Sequence, residues 1–344
     1  MLKFREPAGT SRGVMTEKPT YLLKIYDERN PEHYGIGEAS VFPGLSLEAD
    51  YRYEYKLIEL LANIAIGRPT DLTRHPSIQF GLEQALRDFA SGGRGIYFES
   101  PFTEGKSELT INGLIWMGDF AEMEARLEKK LAEGFHCIKI KIGAIDWDKE
   151  IELIRKVREL APADKVQIRV DANGGFSPED AMTKLEELAK YDIHSIEQPI
   201  QQGNWKEMAR LCRESPVKIA LDEELIGLYT EEERVRMLDE IRPAYIILKP
   251  TLCGAFSGTE EWISLAQERG IGWWVTSALE SNVGLNALAQ FTSTLGVTIP
   301  QGLGTGGLYT NNFECPLRLE GEKLRYDVNA PLDRAQFDKL DWKE

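Results

Sequence analysis

Cys137-Ile138-Lys139-Ile140-Lys141-Ile142-Gly143 reads as one strand with two chemistries. Side chains alternate along a strand, so three isoleucines point to one face and two lysines to the other. The isoleucine face needs cover from packed helices. The lysine face is either solvated at an open sheet edge or lines a site that holds negative charge. The rest of the chain favours the site. Single carboxylates end three later β-rich runs: Asp171 in Arg169-Val-Asp-Ala-Asn173, Glu197 in Ser195-Ile-Glu-Gln-Pro199, and Asp222 in Ala220-Leu-Asp-Glu223. Another lysine, Lys249, ends Ile246-Ile-Leu-Lys-Pro250. Lysine, three carboxylates, lysine is the order of a metal-assisted proton-abstraction site.

Working outward, short β-rich runs alternate with amphipathic stretches. The runs are Ile111–Met117, Cys137–Ile142, Val166–Asp171, His194–Gln198, Lys218–Asp222, Tyr245–Lys249, Gly272–Thr276 and Val297–Gln301. Between them Phe120, Met123, Leu127 and Leu131 recur at helical spacing, as do Ile151, Ile154, Val157 and Leu160. Ser177-Pro178 is a helix start, with a capping hydroxyl followed by proline at the first helical position. Gly134 and Gly270 suit helix ends. The period of roughly 25–30 residues matches βα units. Eight runs predict an α/β fold, a (β/α)8-type barrel over residues 106–309. An open doubly wound sheet is the alternative, but its glycine-rich dinucleotide turn is missing. The first 105 residues read as an α+β capping domain, with strands at Tyr21–Tyr26 and Tyr34–Ala39 and helices at Glu48–Ile64 and Phe80–Ala90. Strands at Leu317–Leu319 and Leu324–Tyr326 would return residues 310–344 to that domain. Loops around Arg12–Met15 and Phe42–Ser46 are candidates for a lid.

The 344 residues carry a net charge of −15, which argues against nucleic-acid or anionic-membrane surfaces. No apolar stretch approaches the roughly 20 residues that cross a bilayer, and no signal peptide is evident. Cys137, Cys212, Cys253 and Cys315 form no C-x-x-C pair, which fits reduced thiols in a cytoplasmic protein. The expected partner is a small-molecule carboxylate, with no nucleic acid and no membrane; homo-oligomerisation stays open.

Active sites of such barrels lie at the C-terminal strand ends. Any one of Asp171, Glu197 and Asp222 could be an ordinary turn or capping acid. Three at successive strand ends instead make an oxygen-only set suited to a hard cation, Mg²⁺ before Mn²⁺. A lone K-x-K is usually a solvated face, but a parallel sheet is covered on both sides, so Lys139 and Lys141 need anionic partners. Lys249 follows Tyr-Ile-Ile-Leu and reads the same way. Arg169 shares a face with Asp171 and points inward. Gly302-Leu-Gly-Thr-Gly-Gly307 has no G-K-[ST] and is no nucleotide loop; it is either a plain turn or a nest of N–H groups for a carboxylate. All four histidines precede the last strand ends, so a histidine base late in the barrel is excluded.

At this point the chain resembles the enolase superfamily, in the subgroup of muconate lactonizing enzymes with lysines on both faces of the substrate. Lysine bases working with Mg²⁺ are a pattern of that superfamily. The matching residues are Lys139-x-Lys141, Asp171, Glu197, Asp222 and Lys249. The resemblance implies that Lys141 is the base, that Lys249 opposes it, that Lys139 supports it, and that the three acids bind Mg²⁺. Ile111-Asn-Gly-Leu-Ile-Trp-Met117, Arg169-x-Asp171-Ala-Asn-Gly-Gly-Phe176 and the final glycine loop make it more similar to the dehydratases of the subgroup than to its racemases, epimerases or cycloisomerases. Arg169, Asn173, Ser277, Gly304, Thr305 and Gly306 are then the candidate substrate contacts. A non-catalytic ligand-binding barrel is the remaining alternative.

Overall fold

The computed structural model describes residues 1–10, 13–143 and 145–343. Two antiparallel hairpins open the chain: β1 (Leu2–Thr10) with β2 (Gly13–Lys18), and β3 (Tyr21–Asp27) with β4 (Asn30–Ala39). Helices α1 (Tyr53–Ala65) and α2 (Pro76–Ala90) follow. Leu23, Val41, Leu57, Leu60, Ile78 and Ala85 close a small core between the second hairpin and the helices. Helix α2 can lie directly on β4 because Gly35 and Gly37 have no side chain. A Cβ there would meet the Ala85 and Gly81 carbonyl oxygens at 2.0 and 1.9 Å. The strands at 21–26 and 34–39 are therefore found as read. The β1–β2 hairpin was not expected, because its residues alternate poorly. The first expected helix begins five residues late, at Tyr53.

After β5 (Leu109–Thr110) the barrel begins. Its units are β6 (Gly113–Ile115) and α3 (Phe120–Ala132), β7 (Cys137–Lys141) and α4 (Trp147–Leu160), β8 (Gln167–Asp171) and α5 (Pro178–Leu188), and β9 (Ile193–Glu197) and α6 (Trp205–Glu214). Then come β10 (Ile219–Leu221) and α7 (Glu231–Ile241), β11 (Tyr245–Leu248) with α8 (Pro250–Cys253) and α9 (Ala255–Glu268), and β12 (Gly272–Val275) with α10 (Asn282–Thr294). Local signals set these helices. Asp119 with Glu122, and Thr230 with Glu233, form capping boxes, and Ser177 caps α5 ahead of Pro178.

Strands β6 to β12 pair in parallel in sequence order. Gln301 and Gly302 join the two edges of that sheet. Gln301 bridges in parallel to Ile111, and Gly302 to Thr276. The expected barrel is thus closed, with an eighth strand far shorter than Val297–Gln301. Pro300 explains this, since it has no N–H to donate and ladder pairing starts only after it. Ile138 and Ile140 of β7 pack outward in the main core with Met123, Leu127, Ile154 and Val157. That leaves Lys139 and Lys141 facing the barrel axis.

The tail forms β13 (Leu317–Glu320) and β14 (Lys323–Tyr326), and β14 pairs with β5. Beyond them Leu332 and Phe337 pack on Tyr34 and Ile36 of β4. At the seam, Glu38 of β4 accepts from Ser281 N (2.8 Å), Ser281 Oγ (2.5 Å) and Gly284 N (2.8 Å), so a carboxylate of the first domain caps α10. Among the described residues no helix is long and apolar enough to cross a membrane.

Candidate active site

Register brings the charges together. Lys141 pairs with Asp171 across β7 and β8, and Asp171 with Glu197 across β8 and β9. Lys139 lies one layer lower, opposite Arg169. The Lys139 ammonium lies 2.8 Å from Asp171 Oδ2 and donates to Glu197 Oε2. Lys141 Nζ donates to Asp171 Oδ2 (2.9 Å) and Asn173 Oδ1 (2.6 Å). On the far side Lys249 donates to Asp222 Oδ2. Lys139, Lys141, Lys249, Asp171 and Asn173 all line one cavity of about 450 Å³ at the C-terminal end of the barrel. Phe42 and Leu45 of the first domain also line it. Of the other expected lid loop, Arg12 lies outside the described residues, and residues 13–15 run in strand β2 of a hairpin instead of a loop.

Opposed charges dominate the electrostatics. Burial alone would raise Asp171, but Lys139 and Lys141 hold it well below the usual carboxylate range. Glu197 is pushed well up by burial and by Asp171. Burial also works against ionised Asp222, and Lys249 overcomes it, leaving that acid lowered. Lys139 and Lys249 show the reverse balance. Burial would lower each, but Asp171 and Glu197 raise the first, and Asp222 and Glu197 raise the second. These groups form one interlocked set, in which neutralising any member disturbs the others.

The three acids do not gather as expected. Among the described residues no three acid, histidine or cysteine side chains come together as a metal-holding group. Lysines stand between them. Their chemistry still suits a hard cation: the donors are all oxygen, and Glu197 Oε1 is buried with no hydrogen-bond partner.

Two expected substrate contacts lie elsewhere. Arg169 is 2 % exposed and does not line the cavity. Its Nη1 donates to the Pro300 carbonyl (2.9 Å), and its guanidinium lies 4.2 Å from the Trp274 ring centroid. One layer below Asp171, it is too deep in the barrel to reach a ligand. Gly306 sits back against α10, where an added Cβ would lie 3.1 Å from Asn282 Oδ1. Gly304, Thr305 and Ser277 do line the cavity. The loop is not a nest of alternating handedness, since none of its glycines has a positive φ. Gly302 is needed for close approach instead, because a Cβ there would meet Thr276 Oγ1 at 2.1 Å.

Sequence reasoning missed several supports. Trp116 places its ring 5.8 Å from Lys141 Nζ. Asn173 was expected at the substrate, but its support of Lys141 was not: at φ 45° it accepts from Lys141 and donates to Glu223 Oε1 (3.1 Å). Gln198 links strand ends by accepting from Asp222 N (3.2 Å) and donating to Glu224 Oε2 (3.0 Å). Asn173-Gly174, a dipeptide that favours left-handed backbone, was the available signal for Asn173. The others carry none, because they act across strands.

The family described as enolase C-terminal domain-like matches residues 122–329. The chain is 48 % identical to the o-succinylbenzoate synthase of Desulfotalea psychrophila, covering 94 % of this chain and 96 % of that protein. The crystal structure of MenC from the same organism superposes with a TM-score of 0.80 at 44 % identity, over 94 % of this chain and 99 % of that one. A dipeptide epimerase from Cytophaga hutchinsonii, crystallised with Mg and a dipeptide, shares the fold at a TM-score of 0.80 and 20 % identity, over 99 % and 95 % of the two chains.

Proposed function

We infer the reaction from kinship and from the cavity together: the chain belongs to the enolase C-terminal domain-like family, and we propose that it catalyses the o-succinylbenzoate synthase reaction. That reaction dehydrates 2-succinyl-6-hydroxy-2,4-cyclohexadiene-1-carboxylate to 2-succinylbenzoate, a step of menaquinone biosynthesis. The observation that carries the reading is the pair of lysines, buried Lys141 and half-buried Lys249, lining one cavity of about 450 Å³ with carboxylates behind them. Chain-long identity of 48 % to a synthase selects the dehydratase among the family's chemistries. Free cysteines and the lack of a membrane-spanning helix among the described residues fit a cytoplasmic enzyme acting on a small dissolved carboxylate.

In this reading Lys141 Nζ removes the α-proton of the substrate carboxylate. Asn173 holds that nitrogen in place through its 2.6 Å hydrogen bond. Lys141 then returns the proton to the departing hydroxyl on the same face. One C–H and one C–O bond break, water leaves, and the ring becomes aromatic. Lys249 transfers no proton; its ammonium stabilises negative charge from the opposite face. Asp171, Glu197 and Asp222 would hold a divalent cation, Mg²⁺ or Mn²⁺, once the ammonium groups now answering them turn aside. Bound there, it would add Lewis-acid stabilisation of the developing charge, worth several kcal/mol. Phe42 and Leu45 line the cavity, and their apolar side chains would help to keep water from the reacting centre.

A racemase or epimerase using the same lysines would need both to move protons. The deciding measurement is kcat/KM on the cyclohexadiene substrate against a panel of dipeptides and N-acylamino acids. The synthase reading expects the first to exceed the dipeptides by about 10²-fold or more, because the loop at residues 302–307 has no carboxylate to pair with a dipeptide's buried ammonium, and to exceed the N-acylamino acids as well. Faster turnover of any panel member would overturn it.

A further inference from the structure

Behind the cavity wall Glu280 is fully buried and ties the ends of β11 and β12 together. Its Oε1 accepts from Thr251 Oγ1 (2.5 Å) and Ala278 N (3.1 Å), and its Oε2 from Ser277 Oγ (2.6 Å). A carboxylate only accepts, so the Ser277 proton points at Glu280. Ser277 Oγ then accepts from Leu279 N (3.0 Å) and Thr305 Oγ1 (2.8 Å), which fills it. The Thr305 proton is thereby committed to Ser277. Both residues line the cavity, yet neither keeps a hydroxyl proton for a ligand. Nearby, fully buried Lys18 donates to Ser40 Oγ (2.5 Å); burial pushes its pKa down, against the opposing pull of Glu38 and Glu280.

We propose that Glu280 is a positioning residue that sets the polarity of the Ser277–Thr305 hydroxyl pair, so that this wall meets the substrate with oxygen lone pairs. Carboxylate groups of the substrate are thereby steered away from it, toward the lysines that line the same cavity. The inference rests on the cavity being the substrate site, as proposed above.

Glu280→Gln tests it, because the amide can sit only one way. The Ala278 N–H fixes the amide oxygen at the Oε1 position, so the NH₂ group faces Ser277. Ser277 then accepts from it and donates to Thr305, and the Thr305 proton is released into the cavity. In the Mg²⁺-loaded full-length protein, Glu280→Gln is expected to bind 2-succinylbenzoate about tenfold tighter by calorimetry, the gain from one hydrogen bond to a charged group. In a Thr305→Val background the same substitution is expected to change binding less than about twofold. A purely structural role would weaken binding equally in both backgrounds, and that result overturns the proposal. If the Glu280→Gln protein does not fold, Ser277→Ala breaks the same relay and is expected to tighten binding likewise; no tightening counts against the proposal. If the unmodified protein neither turns over the substrate nor binds 2-succinylbenzoate, the functional reading fails by itself. The polarity is then read without a ligand, by hydroxyl-proton exchange in selectively labelled protein. The Thr305 proton should be sheltered in the unmodified protein and exchange freely after Glu280→Gln; equal exchange in the two refutes the relay.

Discussion

Lys139→Met removes the ammonium that lies between Asp171 and Glu197 while keeping most of the side-chain volume. In metal-free protein the two acids then face each other without it. Removing one partner of a buried ion pair costs about 3–5 kcal/mol. Protonation of Glu197 limits the loss. Its carboxyl is already raised by burial and by Asp171, and forcing a carboxyl neutral costs about 1.36 kcal/mol per pH unit above an ordinary value near 4.3. The ceiling is therefore about 5 kcal/mol at pH 8 and about 2 kcal/mol at pH 6. The sign follows from linkage: an acid whose folded pKa lies above its unfolded value makes the protein less stable as pH rises between the two. Unfolding entropy near 2.1 cal/mol/K per residue gives about 0.7 kcal/mol/K for this chain. The melting temperature should then fall by about 4–7 °C at pH 8 and by no more than about 3 °C at pH 6. Calorimetric scans in a chelator check both values, and saturating Mg²⁺ should recover most of the loss by supplying the missing positive charge. An unchanged melting temperature at pH 8, or an equal drop at both pH values, would refute the electrostatic account.

Lys141→Ala should lower kcat by at least about 10³-fold, near the range of general acid–base catalysis, with the circular dichroism spectrum retained; near-normal turnover would remove Lys141 from the base role. Exhaustive chelation should abolish turnover, and Mg²⁺ or Mn²⁺ should restore it, as a steady-state assay would show. Burial, reinforced by Arg169 and Lys218, pushes His194 down to about 4. The unfolded chain therefore binds more protons between about pH 4 and 6.5, and stability rises with pH across that window. His194→Gln should flatten this part of the urea-denaturation profile, and an unchanged slope would show that His194 does not contribute.

The barrel was legible because its strands carry two signals at once, apolar outward residues and charged inward ones, as in Ile138-Lys139-Ile140-Lys141. The candidate site was legible for a related reason: an inward charge in a covered sheet needs a partner, and the partners end neighbouring strands. What could not be read depends on three-dimensional reach. Whether Arg169 touches a ligand turns on one layer of depth along the barrel axis, and alternation gives only the face. The eighth strand is limited to Gln301 and Gly302 because Pro300 blocks pairing, a constraint that β-propensity over residues 297–301 does not register. Gln198, Glu223 and Glu280 act through side-chain bonds across strands or turns, and no periodicity announces such bonds.

Glu38 reaches from β4 into the first turn of α10, where a Cβ on Gly284 would lie 2.9 Å from its Oε2. For anyone building chimaeras from relatives of this protein, the two domains are therefore not interchangeable parts. A transplanted first domain with a shorter or neutral side chain at position 38 would leave the Ser281 and Gly284 N–H groups buried and unanswered, at about 1–3 kcal/mol each. A transplanted barrel with any side chain at position 284 would collide with the incoming carboxylate. The carboxylate and the glycine have to travel together, which makes positions 38 and 284 a matched key and lock for recombination.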